Sequence, residues 1–135
     1  MMAMPHTRKL NPRAEFRLRE RLRTENSATL AEKFPTLKSL TAVLHYFDPT
    51  GSAKTGEMRY TVNVAHAKSV FRFDCHNADC AGGDFDLSDV LAETVRKRRK
   101  VAEGEARCQG ERTRLNSEKL PCRNLLRYKL SLRFF

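Results

Sequence analysis

The sequence predicts an α+β domain: an antiparallel sheet of about five strands, one or two helices packed on it, and a four-cysteine zinc-ribbon-like site joining the parts. Three observations lead there. Residues 40–47, 58–64 and 126–134 alternate side to side with the period of a strand. Residues after Arg13 and after Asp86 repeat apolar side chains at three- and four-residue spacing, the period of a helix. Finally, the four cysteines stand as C-x4-C, a spacer of twenty-seven residues, then C-x13-C.

At 135 residues the chain has room for one domain with a modest core. We expect three parts: a disordered basic tail over residues 1–12, an N-terminal helical segment over 13–34, and a zinc-stabilised α+β domain over 35–135. In the helical segment Ala14, Leu18 and Leu22 form one stripe and Arg13, Arg17 and Arg21 another. Asn26 and Ser27 break it. Thr29 followed by Glu32 has the form of a capping box for a second short helix, which Pro35 ends.

The first strand carries Leu40, Ala42, Leu44 and Tyr46 on one face and Thr41, Val43, His45 and Phe47 on the other. Apolar residues on both faces predict a central position. The turn-forming run Asp48-Pro49-Thr50-Gly51-Ser52 and a polar loop lead to a second strand with Met58, Tyr60, Val62 and Val64 on one side. A third strand over 70–74 places Phe71 and Phe73 together and delivers the chain to Cys75.

Beyond the cysteine turn, Leu87, Val90, Leu91, Thr94 and Val95 form the apolar face of a helix expected to run to about Ala102 and to close at Gly104. The basic run Arg96-Lys97-Arg98-Arg99-Lys100 suits the negative end of its dipole. A short strand, 105–108, and the strand 126–134 then bracket the loop from Gln109 to Pro121. The closing strand has one apolar face, Leu126, Tyr128, Leu130, Leu132 and Phe134, and one mostly cationic face, Arg127, Lys129 and Arg133.

Zinc needs four soft ligands at tetrahedral angles about 2.3 Å from the metal, and a tight turn supplies two when its cysteines are close in sequence. Cys75 and Cys80 meet that condition, with Gly82 and Gly83 free to bend behind them. Cys108 and Cys122 would stand at the neck of a hairpin. Disulfides are the alternative, since the same neck would suit one. No apolar run reaches the ~20 residues of a membrane helix, and the N-terminus lacks a secretory apolar core. A soluble cytoplasmic protein with no membrane partner is therefore expected, and in a reducing compartment thiols hold metal. Four cysteines would bind one structural zinc ion through Cys75, Cys80, Cys108 and Cys122 and leave no position for a catalytic water.

The segments Cys75 to Cys80, Gly82-Gly83-Asp84-Phe85-Asp86-Leu87, Arg107-Cys108-Gln109-Gly110 and Cys122-Arg123-Asn124-Leu125-Leu126-Arg127-Tyr128 resemble those of small uncharacterised bacterial proteins with a zinc-ribbon-like four-cysteine module. The resemblance spans roughly residues 29–134. It implies a bacterial cytoplasmic zinc-binding protein and carries no activity with it.

Lys and Arg number 26 against 16 Asp and Glu, a formal net charge of +10. Four thiolates around a dication would bring this to about +8. An anionic partner follows. We expect a non-enzymatic protein that contacts RNA or DNA backbone through Arg17, Arg21, Arg98, Arg99, Arg112, Arg114, Arg127, Lys129 and Arg133. An adaptor docking an acidic protein partner is the second reading, and a metal-dependent nuclease using Asp84, Asp86 and Asp89 the third. Those three aspartates sit where a helix start favours negative charge, and capping is the simpler reading. His45, His66 and His76 stand alone, and His76 directly follows Cys75, too close in sequence to reach the same ion.

Overall fold

The computed structural model describes residues 11–77, 80–113 and 119–135. Most of the expected basic tail, residues 1–10, and Arg114 lie outside them. The elements run α1 (Pro12–Glu25), α2 (Leu30–Lys33), β1 (Leu37–Phe47), β2 (Met58–Val62), β3 (Arg72–Asp74), β4 (Cys80–Ala81), β5 (Asp84–Asp86), α3 (Ser88–Arg96), β6 (Val101–Arg107), β7 (Glu111–Thr113), β8 (Lys119–Pro121) and β9 (Leu125–Phe134). The class is α+β with antiparallel pairing throughout, as the periodicities predict.

The main sheet has four strands in the order β2-β1-β9-β6, with a two-stranded sheet β3-β5 and a three-stranded sheet β4-β7-β8 beside it. This departs from a single sheet of about five strands. The strand expected over 70–74 joins β5 instead of the main sheet, and there Arg72 reaches Asp84 at 2.6 Å. β1 is central, as its two apolar faces require, and pairs over nearly its whole length with β9.

One face of the main sheet is the core. Leu40, Ala42, Leu44 and Tyr46 of β1 meet Leu126, Leu130 and Leu132 of β9 in a buried cluster with Leu30, Phe85, Leu87, Leu91 and Val95. Each leucine so buried contributes about 1.5–3 kcal/mol relative to exposure. The other face carries Arg59, Val43, Lys129 and Glu103 across one row and His45, Arg127 and Glu105 across the next.

Helix boundaries follow local chemistry. The Asn11 side chain accepts from the Ala14 N–H at 2.8 Å and Pro12 fills the first helical position, so α1 starts in residues read as tail. Thr29 Oγ1 accepts from Glu32 N–H at 3.1 Å, as its capping box predicts. β2 stops at Val62 because Asn63 turns the chain: its carbonyl accepts from His66 and Ala67, and its side chain from Ala65.

Helix α3 is shorter than expected. It ends at Arg96, and residues 101–107, read partly as helix, form strand β6. The reason is a turn closed without glycine. Arg98 takes the left-handed conformation, φ 51°, while Arg98 N–H bonds to Val95 O and Arg99 N–H to Thr94 O, the pair of bonds of a Schellman cap. The Arg98 guanidinium then lies 4.8 Å from the centre of the Phe134 ring.

Contrary to its amphipathic pattern, α1 buries none of its residues, and Leu18 and Leu22 are 39% and 49% exposed. It docks by polar contacts. Arg13 and Arg17 donate to the Cys75 carbonyl at 3.3 and 3.2 Å, and Arg23 pairs with Asp86 at 2.8 Å.

Candidate metal centre

Four chain segments deliver the cysteines to one point. Cys75 follows β3, Cys80 opens β4, Cys108 follows β6, and Cys122 links β8 to β9. Two backbone bonds close the last pair: Cys108 N–H donates to Asn124 O and Cys122 N–H to Gly110 O, both at 2.8 Å. All four side chains are buried, and their sulfurs lie within 4.8 Å of one another.

The sulfur separations fit a metal. Cys75 and Cys122 Sγ are 3.7 Å apart and Cys80 and Cys108 Sγ 3.5 Å. A tetrahedron with bonds of about 2.3 Å has edges of roughly 3.8 Å. No two of the four form a disulfide. Among the described residues this is the group of His, Cys, Asp and Glu side chains that could hold an ion. His76 stands apart, stacked on Tyr46 with ring centres 3.8 Å apart.

Donors surround the sulfurs. The Asn77 and Gly110 amides point at Cys75 and Cys108 Sγ over 3.5 and 3.4 Å. The Asn77 and Asn124 side-chain amides approach Cys122 and Cys75 Sγ at 3.7 and 3.8 Å. Such donors stabilise thiolate charge and orient the ligands. Glycine is required twice: a Cβ on Gly83 would strike Cys108 and Cys80 Sγ, and one on Gly110 would stand 2.5 Å from Cys80 Sγ.

Without a cation the thiols compete for charge. Hydrogen bonding within the cluster, from Cys108 foremost, draws Cys75 down to about 5 against its burial. Burial pushes Cys80 up to about 12. Cys108 is raised by its contact with Cys75 and by burial. A dication removes that competition by offering every thiolate the same counter-charge. A closed, buried, all-sulfur set of this kind could hold a metal ion.

Arg72 is the residue that sequence inspection passes over. Its side chain is 9% exposed and meets Asp84 and Asp74 at 2.6 Å each, with Glu20 of α1 at 3.9 Å. Asp84 therefore does not cap α3. Burial pushes its pKa up even though Arg72 works in the opposite direction. Asp86 accepts from Ser88 N–H at 2.9 Å and pairs with Arg23, in keeping with a helix-start role. The Asn side chains at the cluster had one legible signal, their position two residues beyond Cys75 and Cys122.

The expected nucleic-acid residues disperse. Arg17 turns to the Cys75 carbonyl and lies 4.0 Å from Asp74; Arg21 lies 4.0 Å from Glu25. Arg127 and Lys129 share the open sheet face but pair with Glu105 and Glu103 at 2.8 and 3.7 Å. Arg127 also covers the Phe47 ring, which lies beside His45. Arg112 stands opposite Cys80 in the β4–β7 ladder. Arg98, Arg99 and Arg133 are exposed, the first two in the turn after α3 and Arg133 near the end of β9. Among the described residues, no helix is long and apolar enough to cross a membrane.

Comparison of the chain with family models, with curated proteins and with solved structures gives no match. The likeness to bacterial zinc-ribbon-like proteins rests on the quoted residues alone.

Proposed function

We propose that the protein binds one zinc ion through Cys75, Cys80, Cys108 and Cys122, and uses the fold that this ion stabilises to contact RNA or DNA backbone without enzymatic chemistry. Zinc suits four thiolates in a tetrahedral set, and a filled shell leaves no site for substrate. The job then belongs to the surface. The observation that carries the reading is the exposure of Arg19, Arg98, Arg99, Arg107, Arg123 and Arg133, which among the described residues pair with no carboxylate. Arg127 and Lys129 add to them, because exposed ion pairs are worth only about 0–1 kcal/mol and exchange partners readily.

The test is binding of labelled RNA and DNA oligonucleotides by the metal-loaded protein over a range of salt. Affinity should fall steeply as salt rises, and absence of binding at ~50 mM salt overturns the reading.

One observation favours a second reading. The exposed Leu18 and Leu22 on α1 would suit an acidic protein partner with an apolar centre. A nuclease-resistant partner lost in Leu18→Asp would select that adaptor role.

A further inference from the structure

We infer that the recess at the mouth of the cysteine cluster, walled by Pro49, Arg107, Gln109, Pro121 and Arg123, takes a phosphodiester group of a nucleic-acid strand. The inference rests on the nucleic-acid reading above and names the part of the surface that would hold the backbone. The recess has a volume of about 620 Å3, and among the described residues lining it there is no carboxylate. Its two cations are held together: Arg107 Nη1 donates to the Arg123 carbonyl at 3.2 Å, and Gln109 Nε2 to the Arg107 carbonyl at 3.2 Å. A guanidinium has five N–H donors, so Arg107 keeps the others for a ligand and Arg123 keeps its full set. Planar forks of this kind match phosphate oxygens two at a time.

Arg123 carries the argument further. Its backbone is left-handed, φ 53°, a conformation that glycine adopts at no cost and other residues rarely take. Its neighbours impose that turn: Cys122 belongs to the cluster, and the Asn124 amide reaches toward Cys75 Sγ while its carbonyl accepts from Cys108 N–H. Arg98 is left-handed too, but its side chain is occupied on Phe134. The Arg123 side chain has no partner among the described residues. A long cation stands where glycine would relieve the backbone, exposed beside a second cation. Residues held in such conformations gather at functional sites.

The competing role is compensation of the cluster, since four thiolates around a dication carry about two negative charges. Anisotropy titrations of labelled oligodeoxythymidine with the full, metal-loaded chain separate the two. Arg123→Gly and Arg107→Gln should each lower affinity about tenfold, the cost of a lost charge-assisted hydrogen bond. Each should also flatten the slope of log affinity against log salt by about 0.7. Arg123→Gly should keep or raise the thermal midpoint, because glycine is at ease there. Wild-type affinity and slope in both variants, with weaker metal retention, would overturn the inference and assign the arginines to the cluster. A lowered midpoint in Arg123→Gly would overturn the strain argument. If the wild type binds no oligonucleotide, the wider nucleic-acid reading fails first. Titration with inorganic phosphate, followed by NMR at the Arg107 and Arg123 side chains, then decides the recess: saturable shifts keep an anion site there, and unmoved signals remove it.

Discussion

Arg17 of α1 donates a guanidinium N–H to the carbonyl oxygen of Cys75 across 3.2 Å, so a side chain that reads as a surface cation is a strut between the first helix and the thiol turn. Its exposure, 41% for the side chain, discounts the energy. Arg17→Ala should cost about 1 kcal/mol in urea unfolding, within the range for a hydrogen bond to a charged donor partly screened by water. A loss of oligonucleotide affinity with unchanged stability would instead make Arg17 a ligand-facing residue.

Metal removal tests the cluster. Chelation, or Cys122→Ser, should release the ion and loosen the module around the cysteines, because the core they occupy otherwise holds four competing thiols. Native mass spectrometry should read one zinc per wild-type chain. A reduced protein that is folded and metal-free would refute the site.

Two glycines separate packing from flexibility. Gly83→Ala drives a Cβ into two sulfurs, whereas a Cβ on Gly56 meets nothing within 4 Å. The first substitution should cost at least about 2 kcal/mol and lower zinc retention; the second should stay within about 1 kcal/mol of wild type. Equal thermal midpoints for the two variants would contradict the packing described.

Arg72 should be costlier to lose than either carboxylate it serves. Arg72→Met leaves Asp84 and Asp74 facing each other's charge in a partly buried site, while Asp84→Asn leaves Arg72 still paired with Asp74. We expect about 3 kcal/mol for the arginine, the lower end for breaking a buried pair, and about half that for the aspartate. Chemical denaturation measures both, and the reverse order would sink the idea that Arg72 is the hub.

Leu130 tests the main core. It is fully buried on β9, and Leu130→Ala should cost about 2–5 kcal/mol by creating a cavity. Urea unfolding reads the difference. A cost below 1 kcal/mol would mean that the strand's apolar face is packed elsewhere.

The parts legible in the sequence were those written in period and spacing. The alternation from Leu126 to Phe134 and the central character of β1 follow from side chains that point to opposite faces, and both appear in the structure. The convergence of the four cysteines follows from their chemistry. The end of α3 was hidden because Arg98 occupies the left-handed cap that glycine usually marks, and Gly104 drew the expected end too far on. Arg72, Asn77 and Asn124 were hidden because their roles depend on contacts between segments distant in the chain. The same is true of Arg127 and Lys129: the glutamates that pair with them come from β6, a strand mistaken in part for helix.

The place of β9 between β1 and β6 sets a schedule for synthesis. While residues 1–121 emerge, β1 can pair with β2, but β6 has no neighbour in the main sheet and the thiol set lacks its fourth member. Cys122 and Leu125 then arrive almost together, so the thiol set is completed as the sheet begins to close, and the sheet is complete twelve residues after Cys122, at Phe134. A ribosome at about 5–20 residues per second crosses that interval in roughly one to two seconds. Nascent chains halted before Cys122 should therefore be protease-sensitive, and chains that have cleared Phe134 resistant, with little in between.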